Sequence, residues 1–269
     1  MRTVSILYHD VVRLGEFDSS GFITPGAAQY KLDIREFELH LQAIAGEIGL
    51  RPTMLTEFPA ESQNQQLLIT FDDGGVSCYS IVADMLERYG WRGHFFVTTD
   101  FIDTRRFLGR GQIRELRGRG HVIGSHSCSH PAQMSHCSKL ELKEEWSGSV
   151  NKLQDILGEP VQVASVPGGF YSRQVAEEAF AAGVSTLFTS EPTTKCKKIN
   201  DLFVLGRYTL KRGASPQVAA GLAAGDWQLR LEQLLKWKAK GVIKTVCGRQ
   251  YASLRSKLLA GGSRSSDPR

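Results

Sequence analysis

The sequence has few cysteines and no long apolar run. Its 269 residues include five cysteines, an odd number, and no two of them form a Cys-x-x-Cys pair. This set argues against a disulfide scaffold and favours a reducing compartment. No apolar stretch approaches the roughly 18 residues that span a bilayer, so we expect no transmembrane helix. The first residues enter a strand-like run without the apolar core and cleavage site of a secretory signal, which predicts a cytoplasmic protein.

The composition is that of a globular protein, with 41% hydrophobic and 23% charged residues. These fractions exclude a disordered chain, a collagen-like repeat and a coiled coil. The net charge of +5 is unevenly distributed, because residues 229–269 hold ten lysines and arginines against two acidic residues. Residues 1–228 are therefore net acidic. The basic isoelectric point reflects the C-terminal segment, and we expect no nucleic-acid partner.

Strand-like and helix-like patterns alternate at least six times along the chain. The runs that predict strands are 3–8, 67–71, 93–98, 121–124, 161–166, 184–189 and 204–210. Amphipathic helical patterns lie between most of them. This alternation predicts an α/β fold with a parallel sheet or barrel of about seven strands. We predict one catalytic domain over residues 1–228 and a basic, partly amphipathic tail over residues 229–269.

Apolar residues and basic residues are interleaved from residue 226 to residue 259. One interpretation is an interfacial helix that contacts anionic lipid, which would place the protein at the inner membrane surface. The alternative is a terminal helix that packs its apolar stripe on the main domain and leaves its basic face in solvent.

Polar or glycine-rich groups follow four of the predicted strands. They are His9 after 3–8, Asp72-Asp73 after 67–71, His126 and His130 after 121–124, and Pro167-Gly168-Gly169 after 161–166. The carboxyl ends of parallel strands meet on one rim of the sheet or barrel, where ligands bind in such folds. We therefore expect these four groups to converge.

Two of these groups suit a divalent metal. Histidines four residues apart, as at His126 and His130, present ring nitrogens on one face of a helical turn, although a surface loop with two unrelated histidines is the alternative. Burying the adjacent carboxylates of Asp72 and Asp73 costs free energy because they repel each other, unless one of them binds a metal. The alternative is that one aspartate caps a helix and the other is solvated. One aspartate and two histidines would leave a ligand position for water. The second aspartate could then act as general base.

Two segments resemble signature motifs of the polysaccharide deacetylase family, also called carbohydrate esterase family four. Thr70-Phe71-Asp72-Asp73-Gly74 is similar to the first motif, and His126-Ser127-Cys128-Ser129-His130 is similar to the second. The resemblance extends over residues 3–210 and implies a distorted (β/α) barrel. It implies that Asp72 is the catalytic base and that Asp73, His126 and His130 are metal ligands. Zinc is the first candidate ion, with cobalt, nickel or manganese as alternatives.

The family's third motif, Arg-x-Pro-x-Gly, is incomplete here. Ser165 stands in place of the arginine, whereas Pro167 and the following glycines are present. The resemblance makes Gly168 the candidate backbone N–H donor to the oxyanion; the alternative is a plain strand-to-helix turn. We expect Arg207, at a later strand end, to take the place of the missing arginine beside Asp72.

The family's C-terminal Leu-x-His segment also has no match at the expected place, because no histidine follows His136. The segment Leu7-Tyr8-His9 has this form near the N-terminus. A barrel tolerates such a circular permutation since its first and last strands are neighbours, and the chain resembles circularly permuted bacterial exopolysaccharide deacetylases. This resemblance implies that His9 protonates the leaving amine; the alternative is a structural histidine.

These residues and the resemblance predict a metal-dependent hydrolase that removes N-acetyl groups from amino sugars of a bacterial polysaccharide or a lipid-linked glycan. The expected partner is an acetylated carbohydrate. Two alternatives stay open: a metal-dependent amidase that acts on a small non-sugar amide, and a catalytically weak glycan-binding relative. The missing third-motif arginine favours the latter, whereas a general base beside a complete ligand set argues against it.

Overall fold

A computed structural model describes residues 3–47, 51–55 and 66–239 of the chain. The strands in these ranges are β1 (Thr3–Tyr8), β2 (Val11–Val12), β3 (Leu32–Asp33), β4 (Gln66–Phe71), β5 (His94–Val97), β6 (Val122–Ser125), β7 (Val163–Ser165), β8 (Thr186–Phe188), β9 (Lys197–Ile199), β10 (Leu202–Leu205) and β11 (Tyr208–Thr209). The helices are α1 (Pro25–Ala28), α2 (Ile34–Gly46), α3 (Ala83–Glu87), α4 (Arg110–Gly118), α5 (Lys139–Leu157), α6 (Arg173–Ala181), α7 (Pro216–Ala224) and α8 (227–239).

One sheet dominates the part of the chain that the structure describes. It contains nine strands in the order β11-β1-β4-β5-β6-β7-β8-β10-β9, and β2 and β3 form a separate pair. The pairings along the large sheet are parallel except for that between β9 and β10. Parallel strands need crossover connections, which is where most of the helices lie. The expected α/β fold is confirmed, with nine strands in this sheet instead of about seven.

The connection between β10 and β11 shows how strongly the sheet curls. Gly206 and Arg207 are the two residues between these strands, yet β10 lies near one end of the strand order and β11 lies at the other. Three Cα–Cα steps span at most about 11 Å, so the two ends of the sheet must approach each other. The sheet is therefore a distorted barrel, and the predicted single strand 204–210 is in fact two strands that meet at this seam.

Side-chain alternation divides the core into two clusters. The larger cluster contains Ile69 and Phe71 of β4 together with side chains of the surrounding helices. The smaller one lies inside the curled sheet and consists of Leu68, Phe96, Val163, Phe188 and Leu205. Because neighbouring residues of a strand point to opposite faces, Leu68, Thr70 and Asp72 share the inner face. The interior of the barrel thus leads directly to the carboxylate of Asp72.

The helix that carries the clearest sequence signals is α5. Ser138 and Glu141 form the predicted capping box, and the helix ends at Gly158, whose φ of 72° suits glycine. Its buried face includes Leu142, Trp146 and Val150 at helical spacing. This helix packs outside the sheet beside α6 and β6, and it supports the loop that follows β6.

The C-terminal segment is described as far as residue 239. Residues 227–239 are helical, which agrees with the amphipathic pattern, while residues 240–269 of the predicted tail lie outside the described residues. The division into a domain over residues 1–228 and a tail over 229–269 stays a prediction. No helix in the described ranges combines the length and apolarity needed to cross a membrane.

Candidate active site

Three predicted site residues continue the inner faces of their strands. His9 lies two residues after Leu7, Asp72 two residues after Thr70, and His126 two residues after Gly124. The period of two along a strand therefore directs these side chains towards the same rim. Since β1 pairs with β4 on one side and β11 on the other, His9 follows an internal strand and not an edge strand.

Asp73, His126 and His130 form a compact cluster of metal-ligand side chains. Their ligand atoms all lie within 4.8 Å of one another. Nε2 of His126 and Nε2 of His130 are each 3.5 Å from Oδ1 of Asp73. The structure thus brings together the three side chains that the sequence predicts as ligands.

The backbone around this cluster is held in uncommon conformations. Asp73, Ser127 and His130 have positive φ angles of 75°, 66° and 60°, although none is glycine. Such conformations are costly and persist where the surroundings fix them. Here the Glu145 side chain of α5 accepts hydrogen bonds from the backbone N–H groups of Cys128 and of the next residue, each at 2.9 Å. The loop is therefore anchored to a rigid helix.

The protonation states of Asp73 and His130 suit metal binding. Burial raises the pKa of the Asp73 carboxyl, but the adjacent His126 side chain and the charges of His9 and His130 outweigh it and hold this pKa well below its usual range. Burial lowers the pKa of His130, and the charge of Asp73 offsets this only in part. A deprotonated carboxylate at Asp73 and a neutral imidazole at His130 are the forms that a divalent ion requires.

His126 is fixed in one tautomer by Ser165. Its Nδ1 lies 3.0 Å from the Ser165 carbonyl oxygen, which can only accept a hydrogen bond. The Nδ1 atom therefore carries the proton, which leaves the lone pair of Nε2 for a metal ion. A ligating histidine is commonly oriented in this way by a second group. The donor set and its orientation therefore fit a divalent metal.

Asp72 is buried and held by three hydrogen bonds. Arg207 donates from Nη1 to Oδ1 at 2.7 Å and from Nη2 to Oδ2 at 2.8 Å, and the Ser165 hydroxyl donates to Oδ1 at 3.0 Å. Burial raises the pKa of the Asp72 carboxyl, while the charges of Arg207 and His126 lower it more, so the pKa lies below its ordinary value. Asp72 is consequently an oriented carboxylate beside the ligand cluster.

Arg207 is itself buried inside the barrel. Its Nε donates to the Thr189 carbonyl oxygen at 3.1 Å, and its guanidinium lies over the rings of Phe96 and Phe188 at 5.6 and 5.8 Å. Aromatic faces favour a cation placed above them. The structure thus places Arg207 against Asp72, as expected from the missing third-motif arginine, at the seam between β10 and β11.

His9 is half-buried beside Asp72 and Asp73, and its charge lowers the pKa of both carboxyls. Its ring lies against Tyr30, with 4.6 Å between the ring centroids. The Nδ1 atom of His9 is buried and lacks a hydrogen-bond partner within the described residues. The other ring nitrogen, Nε2, is thus the atom that can serve a substrate.

Gly168 lies on the short 3₁₀ turn Pro167–Gly169, three residues after Ser165. It is exposed, and its φ of 60° is a conformation that glycine adopts without strain. The turn borders the site because Ser165 contacts both Asp72 and His126. This position is compatible with a backbone donor at the mouth of the site, which stays a prediction.

Sequence reasoning missed two side chains of the site. Ser165 was identified as the replacement of an arginine, but its hydroxyl also lies 2.5 Å from Nδ1 of His126, so one side chain links the base to a metal ligand. Its place on the inner face two residues after Val163 was the available signal. Tyr30 gave no such signal, since it lies in the short turn between α1 and β3, whose place beside His9 depends on contacts between distant segments.

Comparisons with known proteins agree with the motifs. The family model "Polysaccharide deacetylase" matches residues 60–187, which include Asp72, His126 and their neighbours. YxkH of Bacillus subtilis strain 168 is 25% identical over 187 residues, which cover 67% of this chain and 66% of YxkH. The peptidoglycan-N-acetylglucosamine deacetylase PgdA of Listeria monocytogenes is 29% identical over 159 residues, which cover 57% of this chain and 32% of PgdA. Each alignment spans less than two thirds of the relative's own length.

Solved structures share the fold. IcaB from Ammonifex degensii superimposes with a TM-score of 0.69 at 21% identity, over 82% of this chain and 97% of that chain. The Streptococcus pyogenes deacetylase PplD superimposes with a TM-score of 0.65 at 18% identity, over 81% and 96% of the two chains. At these identities the likeness shows the distorted barrel. The family model and the relatives show that the chain contains a polysaccharide deacetylase domain.

Proposed function

We propose that the protein hydrolyses N-acetyl groups on the amino sugars of a bacterial glycan. One observation carries this proposal: Asp72 is fixed as a carboxylate by Arg207 and Ser165, directly beside the ligand cluster. A buried, oriented carboxylate next to an Asp-His-His set has the arrangement of a general base in metal-assisted hydrolysis. A protein that merely binds glycans has no use for such a base.

Asp73, His126 and His130 would hold the ion, with zinc as the first candidate because aspartate and imidazole suit it. When bound, the ion supplies a Lewis acid for the acetyl carbonyl and lowers the pKa of a water molecule. The chain contributes the orientation of these ligands, which comes from Ser165 and from the strained loop after β6.

Asp72 takes the proton of the attacking water. Both of its carboxylate oxygens accept hydrogen bonds from Arg207, so the carboxylate cannot rotate freely and keeps one orientation. The Ser165 hydroxyl accepts from His126 Nδ1 and donates to Asp72, which joins the base and one ligand in a single hydrogen-bond network. This network holds the side chains of Asp72 and His126 in fixed orientations.

We assign the two remaining roles, oxyanion stabilisation and protonation of the amine, to Gly168 and His9 at the rim of the site. The Gly168 backbone N–H would donate to the oxygen that becomes negative during attack. His9 would protonate the departing amine, because an amide nitrogen is a poor leaving group unless it gains a proton. The contact with Tyr30 orients the His9 ring for this transfer.

The choice of an acetylated glycan rests on relatives. PgdA is named for the deacetylation of N-acetylglucosamine in peptidoglycan, and we extend the acetylated amino sugar to this chain as the proposed substrate. An amide on a small non-sugar molecule is the alternative that the same residues could serve.

Acetate release tests this proposal. Metal-stripped protein is given zinc, cobalt, nickel or manganese and incubated with N-acetylglucosamine oligomers, peptidoglycan glycan strands and a panel of small acetamides. We expect acetate from at least one glycan, dependent on added metal. Acetate from the small amides alone would support the amidase alternative, and no release from any substrate despite bound metal would refute the hydrolase.

We further propose that the C-terminal segment contacts an anionic lipid surface. In α8, Trp227, Leu231 and Leu235 recur every four residues and are 68%, 44% and 58% exposed. This apolar stripe precedes a strongly basic stretch of sequence. We expect the protein to co-float with vesicles that contain phosphatidylglycerol and to float less when all three residues are changed to serine. Equal flotation of both proteins would contradict the contact.

A further inference from the structure

We propose that Asp10 is a positioning residue that holds His9 in place for proton transfer to the departing amine. This inference rests on the proposed function, because it concerns the acid of the deacetylation. Asp10 directly follows His9 and is only 1% exposed. A buried carboxylate costs free energy unless hydrogen bonds compensate it. The partners of Asp10 therefore indicate what its side chain holds in place.

The side chain of Asp10 joins three segments of the chain. Its Oδ1 accepts hydrogen bonds from the hydroxyls of Ser20, at 2.6 Å, and Ser77, at 2.7 Å. Ser20 lies between β2 and β3, in the same connection as Tyr30. Ser77 lies four residues after the predicted metal ligand Asp73. One carboxylate oxygen thus ties the end of β1 to the connection that carries Tyr30 and to the segment after the ligand.

Both hydroxyls are oriented by a second hydrogen bond. Ser20 Oγ accepts from the Ser77 backbone N–H at 2.9 Å, and Ser77 Oγ accepts from the Val11 backbone N–H at 3.2 Å. A serine hydroxyl has a single proton, and both protons go to Asp10. Every group in this buried network therefore has one role, and the network requires an acceptor oxygen at position 10.

The surroundings leave the carboxylate little room to move. A Cβ at Gly21 would lie 2.1 Å from Oδ2 of Asp10, and a Cβ at Gly75 would lie 2.0 Å from Oδ1. The carboxylate thus fills the space between these two glycines. Ser20 is held from its other side by Lys31, a buried lysine whose Nζ donates to the Ser20 carbonyl oxygen at 2.6 Å. The network is consequently fixed at both ends.

These contacts bear on His9 because few others hold its ring. Nδ1 of His9 lacks a hydrogen-bond partner within the described residues, and the ring lies against Tyr30. The Asp10 carbonyl oxygen accepts from the backbone N–H of Leu32, two residues after Tyr30, at 3.0 Å. Asp10 is therefore bonded to the chain on both sides of the contact between His9 and Tyr30. Proton transfer needs a closely defined position of the donor, so loosening this contact should slow it.

Kinetics on two substrates test the inference. An acetylated glycan needs a proton on its departing nitrogen, whereas the phenolate of an aryl acetate leaves without one. At equal zinc content, Asp10→Ala and Ser20→Ala should each lower kcat on the glycan by about tenfold or more and kcat on the aryl acetate by less than about threefold. If Asp10→Ala does not fold, Ser20→Ala decides alone. Equal losses on both substrates, or no loss on the glycan, would overturn the inference.

Two further variants separate positioning from a general loss of packing. Asp10→Asn keeps an acceptor oxygen for both hydroxyls and should remain within about threefold of the wild type on the glycan. An asparagine variant as slow as the alanine variant would contradict a role through these hydrogen bonds. Ser5→Ala is the matched control, because Ser5 is buried on β1 and its hydroxyl has no partner within the described residues. It should change neither rate, and a loss equal to that of Ser20→Ala would overturn the inference.

A double variant shows whether the serine acts through His9. In His9→Ala protein the proton donor is already absent, so adding Ser20→Ala should lower kcat on the glycan by less than about twofold. Two residues that act independently would instead have multiplicative effects. A further loss of about tenfold in the double variant would therefore exclude His9 as the group that the network positions.

A spectroscopic measurement gives a result even if no substrate releases acetate. The centroids of the Tyr30 and His9 rings are 4.6 Å apart, so the ring current of Tyr30 shifts the NMR signals of the His9 ring protons. These signals are assigned by their absence in His9→Ala. Ser20→Ala should move them and Ser5→Ala should not. Unmoved signals in Ser20→Ala would overturn the inference, whereas moved signals without acetate release would support the positioning and refute the proposed function alone.

Discussion

Arg207 and Asp72 are 135 residues apart in sequence and form a buried ion pair with two hydrogen bonds, at 2.7 and 2.8 Å. The pair joins the end of β4 to the seam between β10 and β11, where the curled sheet closes on itself. In the family motif an arginine precedes the conserved proline by two residues, and here Ser165 occupies that place. The cation therefore comes from the opposite side of the barrel, and the serine hydroxyl bonds the same carboxylate.

Replacing Arg207 by methionine should damage both stability and activity. Asp72 would keep a buried charge without its cation, and breaking a buried pair in this way costs about 3–5 kcal/mol of unfolding free energy. Arg207→Lys keeps the charge but loses the paired hydrogen bonds, so we expect an intermediate loss of kcat, about tenfold. Urea unfolding and acetate release check these values. A methionine variant equal to the wild type in both would show that the pair has no such role.

Substrates with different leaving groups can distinguish a role of His9 as proton donor from a purely structural role. An amide nitrogen needs a proton to depart, whereas a phenolate leaves without one. His9→Ala should therefore lower kcat on an acetylated glycan by about 10²-fold or more but lower kcat on an aryl acetate by less than about tenfold. Equal losses on both substrates would indicate a structural histidine instead.

Metal binding should stabilise the fold through Asp73, His126 and His130. A ligand that binds the native state at 100 times its Kd adds about 2.7 kcal/mol, which in a chain of this size raises Tm by about 5–10 °C. We expect this zinc-dependent rise in the wild type and its loss in His130→Ala, measured by calorimetry. His136→Ala removes a nearby exposed histidine outside the cluster and should retain the rise. If the two variants behaved alike, the ligand set would be wrong.

The free energy of unfolding should fall in mild acid because of His94, a buried histidine outside the candidate site. Burial lowers the pKa of His94 to about 4, although the hydrogen bond to the Ile69 carbonyl acts in the opposite direction. The Leu55 N–H donates to Nε2 of the His94 ring, which requires the neutral form. The unfolded chain has the ordinary value near 6.5, so between pH 6.5 and 4 it binds more protons than the native state. Stability therefore rises with pH across this window.

His94 alone should remove about 2 kcal/mol of unfolding free energy between pH 7.5 and pH 5. His121, whose pKa burial also lowers to about 4, acts in the same direction. Urea unfolding at the two pH values measures the loss. His94→Asn should be less stable at pH 7.5 yet show a smaller drop on acidification, and an unchanged drop would exclude His94 as its source.

The ligand cluster could be predicted from the sequence because local rules govern it. Asp72 and His126 end apolar strands, and strand alternation directs their side chains to the rim of the barrel. Asp73 directly follows Asp72, and His130 follows His126 by four residues. Most of the geometry of the ligand cluster therefore depends on residues that are close together in sequence.

The remaining features depend on contacts between distant segments. The run 204–210 has the composition of one strand. Nothing in the sequence indicates that Gly206 lies against the Glu191 carbonyl and the Thr193 side chain at the seam. A Cβ at position 206 would lie 2.2 Å from that carbonyl oxygen, so this close approach requires glycine. The same limit applies to Tyr30, whose contact with His9 joins a loop to a strand end.

The most direct test of the account is acetate release by Asp72→Asn protein with its metal content measured. Asparagine has nearly the same size but cannot take a proton, while Asp73, His126 and His130 remain. We expect bound zinc equal to that of the wild type and a kcat lower by about 10³-fold on the preferred glycan. A variant that binds zinc normally and retains more than about a tenth of wild-type kcat would contradict Asp72 as the general base.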